Sequence, residues 1–241
     1  MRLNHFIMIL SVLLLAGCTT TGENPKDPYE EQNRAVWEFN RSLDKAVLKP
    51  VAQGYQYVTP DPVEKGVSNF FDNLGEISNI VNSLFQGKVG QAGKSTGRFL
   101  INSTIGLAGL LDPATEMGID EEEEDFGQTL AVWGFDSGPF LMLPFLGPSN
   151  PRDGVGFAVD AFGIYSPYDE LNDEQTEWAL RSLWLVDMRA ELLPLEDQLE
   201  EALDEYLMVR DAYLQRREFL IYDGRPPIED ECEFEEDCEE W

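Results

Sequence analysis

Gly93-Lys94-Ser95-Thr96-Gly97 spells G-x-S-x-G, the turn that presents a serine nucleophile, and also contains the Gly-Lys-Ser-Thr that closes a phosphate-binding loop. Neither chemistry can be completed here. A nucleophile elbow needs a preceding strand and a histidine base, and the chain's one histidine is His5, close to its start. A phosphate loop needs a glycine five residues before Gly93, where this chain has Lys88. The shortage of histidine also removes Ser-His-Asp and Cys-His catalysis. Carboxylates are plentiful, with 46 Asp and Glu against 17 Lys and Arg, so no single pair stands out as a general acid and base. Asp120 to Asp125, DEEEED, could attract a divalent cation but lacks the D-x-D-x-D-G spacing of a calcium loop, and it reads as a solvated loop. No catalytic residue, metal ligand or cofactor is expected, and an enzyme is the weaker reading.

Cys18 carries a more definite chemistry. Met1 to Gly17 has one early Arg2, an apolar core from Phe6 to Leu15 of about ten residues and a small-residue end, which is a secretory signal and not a membrane span. Leu15-Ala16-Gly17-Cys18 resembles a bacterial lipobox, in which cleavage leaves Cys18 first in the chain, acylated on sulfur and nitrogen. At about 0.8 kcal/mol per buried methylene, several long acyl chains make such an anchor effectively permanent. Thr19, where an Asp would hold a lipoprotein back, points to release to the outer membrane, and residues 18–26 form a short tether. The formal net charge of -29 leaves no basic footprint for nucleic acid and no polybasic patch for anionic lipid. Any further grip on a membrane must then be hydrophobic. Cys232 and Cys238 could close a small loop in an oxidising periplasm or remain two free thiols. They lie in an acidic tail, residues 225–241, too poor in apolar residues to fold alone.

That hydrophobic grip has one obvious candidate. Phe140-Leu141-Met142-Leu143-Pro144-Phe145-Leu146 is an apolar run fenced by Gly138-Pro139 and Gly147-Pro148. Pro144 removes a backbone donor from its middle, which excludes a helix interior and disfavours a central strand. The run is also far shorter than the roughly 20 residues of a spanning helix. A kinked loop or hairpin remains, buried either in the protein's own core or in lipid.

The elements around it are helical. Asp27-Pro28-Tyr29-Glu30 and Asp61-Pro62-Val63-Glu64 carry the Asp, Pro, Glu pattern of a capped helix start. Helical spacing of Val36, Phe39, Leu43 and Val47 follows the first, and of Val63, Val67, Phe70 and Leu74, continuing to Phe85, the second. Gly93 and Gly97, four apart, would permit close helix packing in an apolar stretch reaching Leu111. Short helices are expected after Asp112 and over Phe126 to Val132, and capped ones after Asn150 and Asp173. A long helix should run from about Glu196 to Ile221. With no convincing alternating strands, the expected fold is all-α, in one domain over residues 27–224.

Several blocks together resemble a known family. DPYEEQNRAVWEFN (27–40), NFFDNL (69–74), GRFLINSTIGLAGLLDPA (97–114), DFGQTLAVWG (125–134), GPFLMLPFLGPS (138–149), Arg152-Asp153 and the Arg210 to Arg217 region are similar to the MlaA (VacJ) lipoproteins across nearly the whole mature chain. Departures are few: Ile77 where the family often has Pro, Phe140 where it often has Tyr, and the cysteine-bearing tail. The resemblance implies a ring-like helical lipoprotein in the inner leaflet of the outer membrane, commonly beside trimeric general porins. Such proteins take phospholipids that have strayed into the outer leaflet and pass them to a periplasmic carrier, MlaC, without consuming nucleotide. Under it, Phe140 to Leu146 becomes a lipid-contacting hairpin, and polar residues at the capped helix starts line a passage for head groups. A lipid-anchored, porin-bound scaffold and a phospholipid hydrolase are the alternatives.

Overall fold

The computed structural model describes residues 24–162 and 173–227, so Cys18, Cys232 and Cys238, with most of the signal and tether and the end of the tail, lie outside the described residues. Helix α1 (Glu30–Leu43) runs through a π-helical turn (Asp44–Leu48) into α2 (Lys49–Val58). Pro50 explains the turn: its ring would crowd the carbonyl four residues back, and a wider turn makes room. Then come α3 (Asp61–Phe85), α4 (Val89–Thr104), the single turn α5 (Pro113–Glu116) and α6 (Phe126–Val132). A hairpin of β1 (Leu141–Leu143) and β2 (Gly147–Ser149) pairs Met142 with Pro148, and α7 (Pro151–Phe162) follows it. The chain ends in α8 (Glu174–Glu191), a 3-10 turn (Leu193–Leu195), α9 (Glu196–Glu200) and α10 (Glu205–Ile221). The fold is all-α apart from that one hairpin.

Asp112, Asp125 and Asp173 cap their helices as the sequence indicates, and Asn150 accepts from the Asp153 amide at 2.8 Å. Asp27 and Asp61 do not. Helix α1 starts at Glu30 with no side-chain cap, because the Asp27 carboxylate is drawn to Asn33 and Tyr206, and Asp61 is already inside α3. The long C-terminal helix is also interrupted: Asp204 accepts from the Leu207 amide and restarts the chain as α10. Gly93 and Gly97 face open space, so they mark no close helix contact. That contact lies elsewhere, where α6 crosses α7 and a Cβ on Gly156 would sit 2.3 Å from the Gly127 amide.

The principal packing closes on itself. From α1 through the π turn to α2, contact passes to α8, α3, α6 and α10, then through β2 and β1 back to α1, while α4 packs along α3. Among the described residues this circuit closes as a ring. Its joints are ionic. Glu196, 8% exposed, accepts from Arg41 Nη1 at 2.7 Å, Lys49 Nζ at 3.1 Å and Arg189 Nη2 at 2.6 Å, and Arg189 also holds Asp44 at 2.7 Å, which ties α1, α2, α8 and α9 together.

Burial would raise the Glu196 carboxyl, but the hydrogen bonds from Arg41, Lys49 and Arg189 outweigh it and hold it at about 2, against an ordinary 4.5. Because the folded value is depressed, its contribution is complete above about pH 4.5 and disappears as pH falls toward 2. Urea midpoints measured across that window should drop with acid, and Glu196→Gln should start lower at pH 7 and drop less. A second expectation concerns the helix crossing. Gly156→Ala should lose about 1–3 kcal/mol by denaturant melting through overpacking, whereas Gly93→Ala, in open space on α4, should gain about 0.5–1 kcal/mol.

Candidate functional site

Two asparagines seven residues apart, hence on one face of α1, hold the hairpin by its backbone. Asn33 Nδ2 donates to the Phe140 carbonyl at 3.0 Å and its Oδ1 accepts from the Met142 amide at 2.8 Å. Asn40 repeats the pair one step along: Nδ2 donates to the Leu143 carbonyl and Oδ1 accepts from the Phe145 amide, both at 2.9 Å. These side chains act as a third strand, satisfying the edge of β1. Asn33 also donates to Asp27 at 2.8 Å, and Asp27, fully buried, accepts from the Tyr206 hydroxyl and from Arg210 of α10. The hairpin base, α1 and α10 thus share one buried polar clasp.

That base decides which hairpin residues face outward. Phe140 (1% exposed) and Met142 (3%) pack with Tyr206 in the core, against Val36 and Trp37 of α1. They are not surface residues, which corrects their assignment to lipid contact: alternation along β1 turns both toward α10. Leu141 and Leu143 are half-buried. Pro144, Phe145 (71%) and Leu146 (57%) make an exposed tip, with Phe145 at φ 67 and its ring 5.3 Å from that of Phe39.

The buried side chains along α3 and α4 are chiefly polar. Asn73, Glu76, Asn79 and Asn82 recur every three residues along α3 and are all buried. Facing them from α4, Arg98 bonds Glu76, the Thr115 hydroxyl at 2.9 Å and Asp112 at 3.2 Å, while Asn102 binds Asp112 and the Ala114 amide. Asn79 accepts from the Glu124 amide, and the Glu124 carboxylate, 4% exposed, takes Lys88 and Gln86. The acidic run at 120–125 is therefore pinned through Glu124, not a freely solvated loop. Burial raises the Glu124 carboxyl even so, since it exceeds what Lys88 and Gln86 return.

The outside is the reverse. Leu84, Phe85, Val132, Trp133 and Phe135 are all exposed, and Phe85, Phe126 and Trp133 form an aromatic cluster in which Trp133 Nε1 donates to the Phe85 carbonyl. After α4 the chain makes three successive left-handed residues, Leu107 (φ 57), Ala108 (φ 61) and Gly109 (φ 92), and exposes Ile105, Leu107, Leu110 and Leu111. Gly109 is required there, because a Cβ would lie 2.8 Å from Asn73. Strain of this kind in an exposed apolar turn is unusual in a water-facing loop. Among the described residues no helix is long and apolar enough to cross a membrane.

Two further features complete the site. Asp72 and Glu121 are both exposed, yet the protein around each shifts its carboxyl. Burial, then the charges of Glu191, Asp187, Asp112 and Glu123, push Asp72 up to about 6. Burial and the charge of Asp72 push Glu121 up to about 7 against the pull of Arg98. Near the hairpin, a cleft of about 220 Å³ is lined by the apolar Leu143, Leu146, Pro148 and Phe157 and by the polar Asp125, Asp153, Asp160, Tyr213 and Arg217. Among the described residues no three acidic, cysteine or histidine side chains converge as cation ligands.

Sequence reasoning located the hairpin but missed what holds it. Asn33, Asn40 and the α3 series were legible as polar residues at helical spacing, though nothing in the pattern marks such a stripe as interior. Buried polar groups also run along α3 and α4, away from the capped helix starts.

Comparison with known proteins agrees with this geometry. The model of the MlaA lipoprotein family matches residues 25–220. The intermembrane phospholipid transport system lipoprotein MlaA of Haemophilus influenzae is 33% identical over 228 residues, covering 90% of each chain. The protein of the same name from Escherichia coli is 33% identical over 231 residues, covering 93% of this chain and 91% of that one. A solved structure described as the structural basis for maintenance of bacterial outer membrane lipid asymmetry superposes with a TM-score of 0.70 at 34% identity, over 81% of this chain and 98% of the other. Matched over most of its length in sequence and in fold, the chain belongs to the MlaA lipoprotein family.

Proposed function

We propose that this chain is an outer-membrane lipoprotein that takes misplaced phospholipids from the outer leaflet and passes them to a periplasmic carrier of the MlaC type, so maintaining lipid asymmetry. The observation that carries this reading is the inverted partition: a closed circuit of helices with polar and charged side chains inside and large apolar ones outside. A phospholipid crossing a membrane needs both, since an unsolvated phosphate in hydrocarbon costs many kcal/mol while acyl chains need no polar partner. Cys18 supplies the anchor, and the aromatic cluster at Trp133 and the turn at 105–111 hold the ring in the inner leaflet. Pro144, Phe145 and Leu146, with Leu143 behind them, meet lipid tails. A trimeric general porin is the neighbour in the membrane. The protein moves lipid and does not cleave it: the sequence motifs for a nucleophile are incomplete, and the relatives' names describe transport.

Phe145→Asp combined with Leu146→Asp tests this reading. Each side chain contributes about 1.5–3 kcal/mol on burial in hydrocarbon, so transfer of labelled phospholipid from proteoliposomes to the carrier should fall about tenfold or more. The helical circular dichroism should be unchanged, because both residues are exposed. Met142→Asp, by contrast, should unfold the protein. Transfer at the unmodified rate by the double variant would remove the tip from the lipid path, and no transfer by the unmodified protein, with no phospholipid in its organic extracts, would leave only a lipid-anchored scaffold.

A further inference from the structure

The cleft beneath the hairpin tip is unbalanced in charge in a way that selects a ligand. Three carboxylates line it, Asp125, Asp153 and Asp160, with one guanidinium, Arg217. Arg217 pairs with two of them: its Nη1 and Nη2 bond Asp125 and its Nη2 bonds Asp153 at 3.0 Å, with Nε 2.8 Å from the same carboxylate, which Arg152 also contacts. Asp160 is left over. Its oxygens accept only from neutral donors, the Phe126 amide at 2.8 Å, Asn82 at 3.2 Å and the Ser78 hydroxyl at 3.4 Å, and no cation pairs with it among the described residues. Burial, with the nearby charge of Asp125, holds its carboxyl above the ordinary value despite those three bonds. The lining also includes the apolar Leu143, Leu146, Pro148 and Phe157, and Leu146 belongs to the exposed tip. About 220 Å³ is below the usual range for a whole drug-sized ligand, so the cleft accommodates a head group with the start of its tails outside.

Resting on the phospholipid reading above, we propose that this cleft is a docking site for the primary-amine head of a zwitterionic phospholipid. The ammonium of phosphatidylethanolamine sits on Asp160, the phosphate faces the open mouth, and the glycerol end lies along Leu146 and Phe157. A phospholipid with an anionic head would instead bring negative charge toward an excess of carboxylates, so the site discriminates by charge before it discriminates by shape.

The test uses the full-length lipoprotein in detergent, exchanged with an equimolar mixture of acyl-matched phosphatidylethanolamine and phosphatidylglycerol, with bound lipid measured by mass spectrometry. The unmodified protein should retain the amine lipid over phosphatidylglycerol about five- to tenfold, the range of one charge-assisted pair at a half-open site. Asp160→Asn should reduce the ratio to about twofold or less. Because Asp160 also caps the Phe126 amide, a second variant avoids its bonds: Phe157→Lys places the protein's own ammonium in the cleft and should remove the preference equally. Soluble phosphoethanolamine should not displace bound lipid, since it lacks the apolar part. An even ratio in the unmodified protein, or a ratio unmoved by both variants, overturns the docking site while leaving lipid transport standing. Displacement by soluble phosphoethanolamine overturns it in favour of a soluble amine. Recovery of no phospholipid with any version removes the transport reading as well.

Discussion

Charge taken out of water must be partnered, and in this protein that demand falls on the inside of a ring. Burying one unpaired carboxylate or guanidinium costs several kcal/mol, more than most single contacts supply. The chain answers with a small stock of cations placed at joints. Arg41 and Arg189 close α1 and α8 onto Glu196, Arg98 closes α4 onto Glu76, Lys88 fixes the acidic loop through Glu124, and Arg217 joins α10 to α6 and α7. With so few basic residues, each joint uses nearly all the positive charge nearby. Asp72 and Asp160 are left without such a partner among the described residues, and the carboxyls of both are raised.

Local grammar survived folding where its partners were local. Asp112, Asp125, Asn150 and Asp173 each sit three residues from the amide they cap, and each starts the short-range structure that its spacing indicates. Asp27 carries the same signature and does something else, because Asn33, Tyr206 and Arg210 offer a carboxylate more than one amide can. Tyr206 and Arg210 are nearly 180 residues away, so no window around Asp27 contains the reason. The break between α9 and α10 was local and could have been read: Asp204 followed by Glu205 is an ordinary start inside a stretch that otherwise looks continuous.

Helical periodicity found the right faces and left their direction open. Val63, Leu84 and Phe85 fall on the apolar side of α3 as spacing requires, and the structure turns them outward. A hydrophobic stripe identifies the side of a helix that avoids water; it is inward only if water is what lies outside. For α3 the complementary stripe, Asn73, Glu76, Asn79 and Asn82, is the one that packs. Among the described residues this inversion is the clearest mark of a nonaqueous exterior, and it needs neither a spanning helix nor a ligand to be seen.

The hairpin joins these two surfaces. A two-stranded ribbon of three-residue strands is barely stable alone, since each strand leaves an unpaired edge and one open face. Asn33 and Asn40 satisfy that edge with amide groups, whose donor and acceptor match a strand's own, and Phe140 and Met142 anchor the base by filling the core beside Tyr206. Everything holding the hairpin therefore sits at its root, on α1 and α10. Pro144, Phe145 and Leu146 are left outside the core, on a turn whose left-handed Phe145 is fixed by Asn40. An apolar tip on a polar root is what a protein needs if its grease is to point at lipid while its charges stay partnered within, and it explains why the asparagines, not the greasy residues, are the ones that shape this segment.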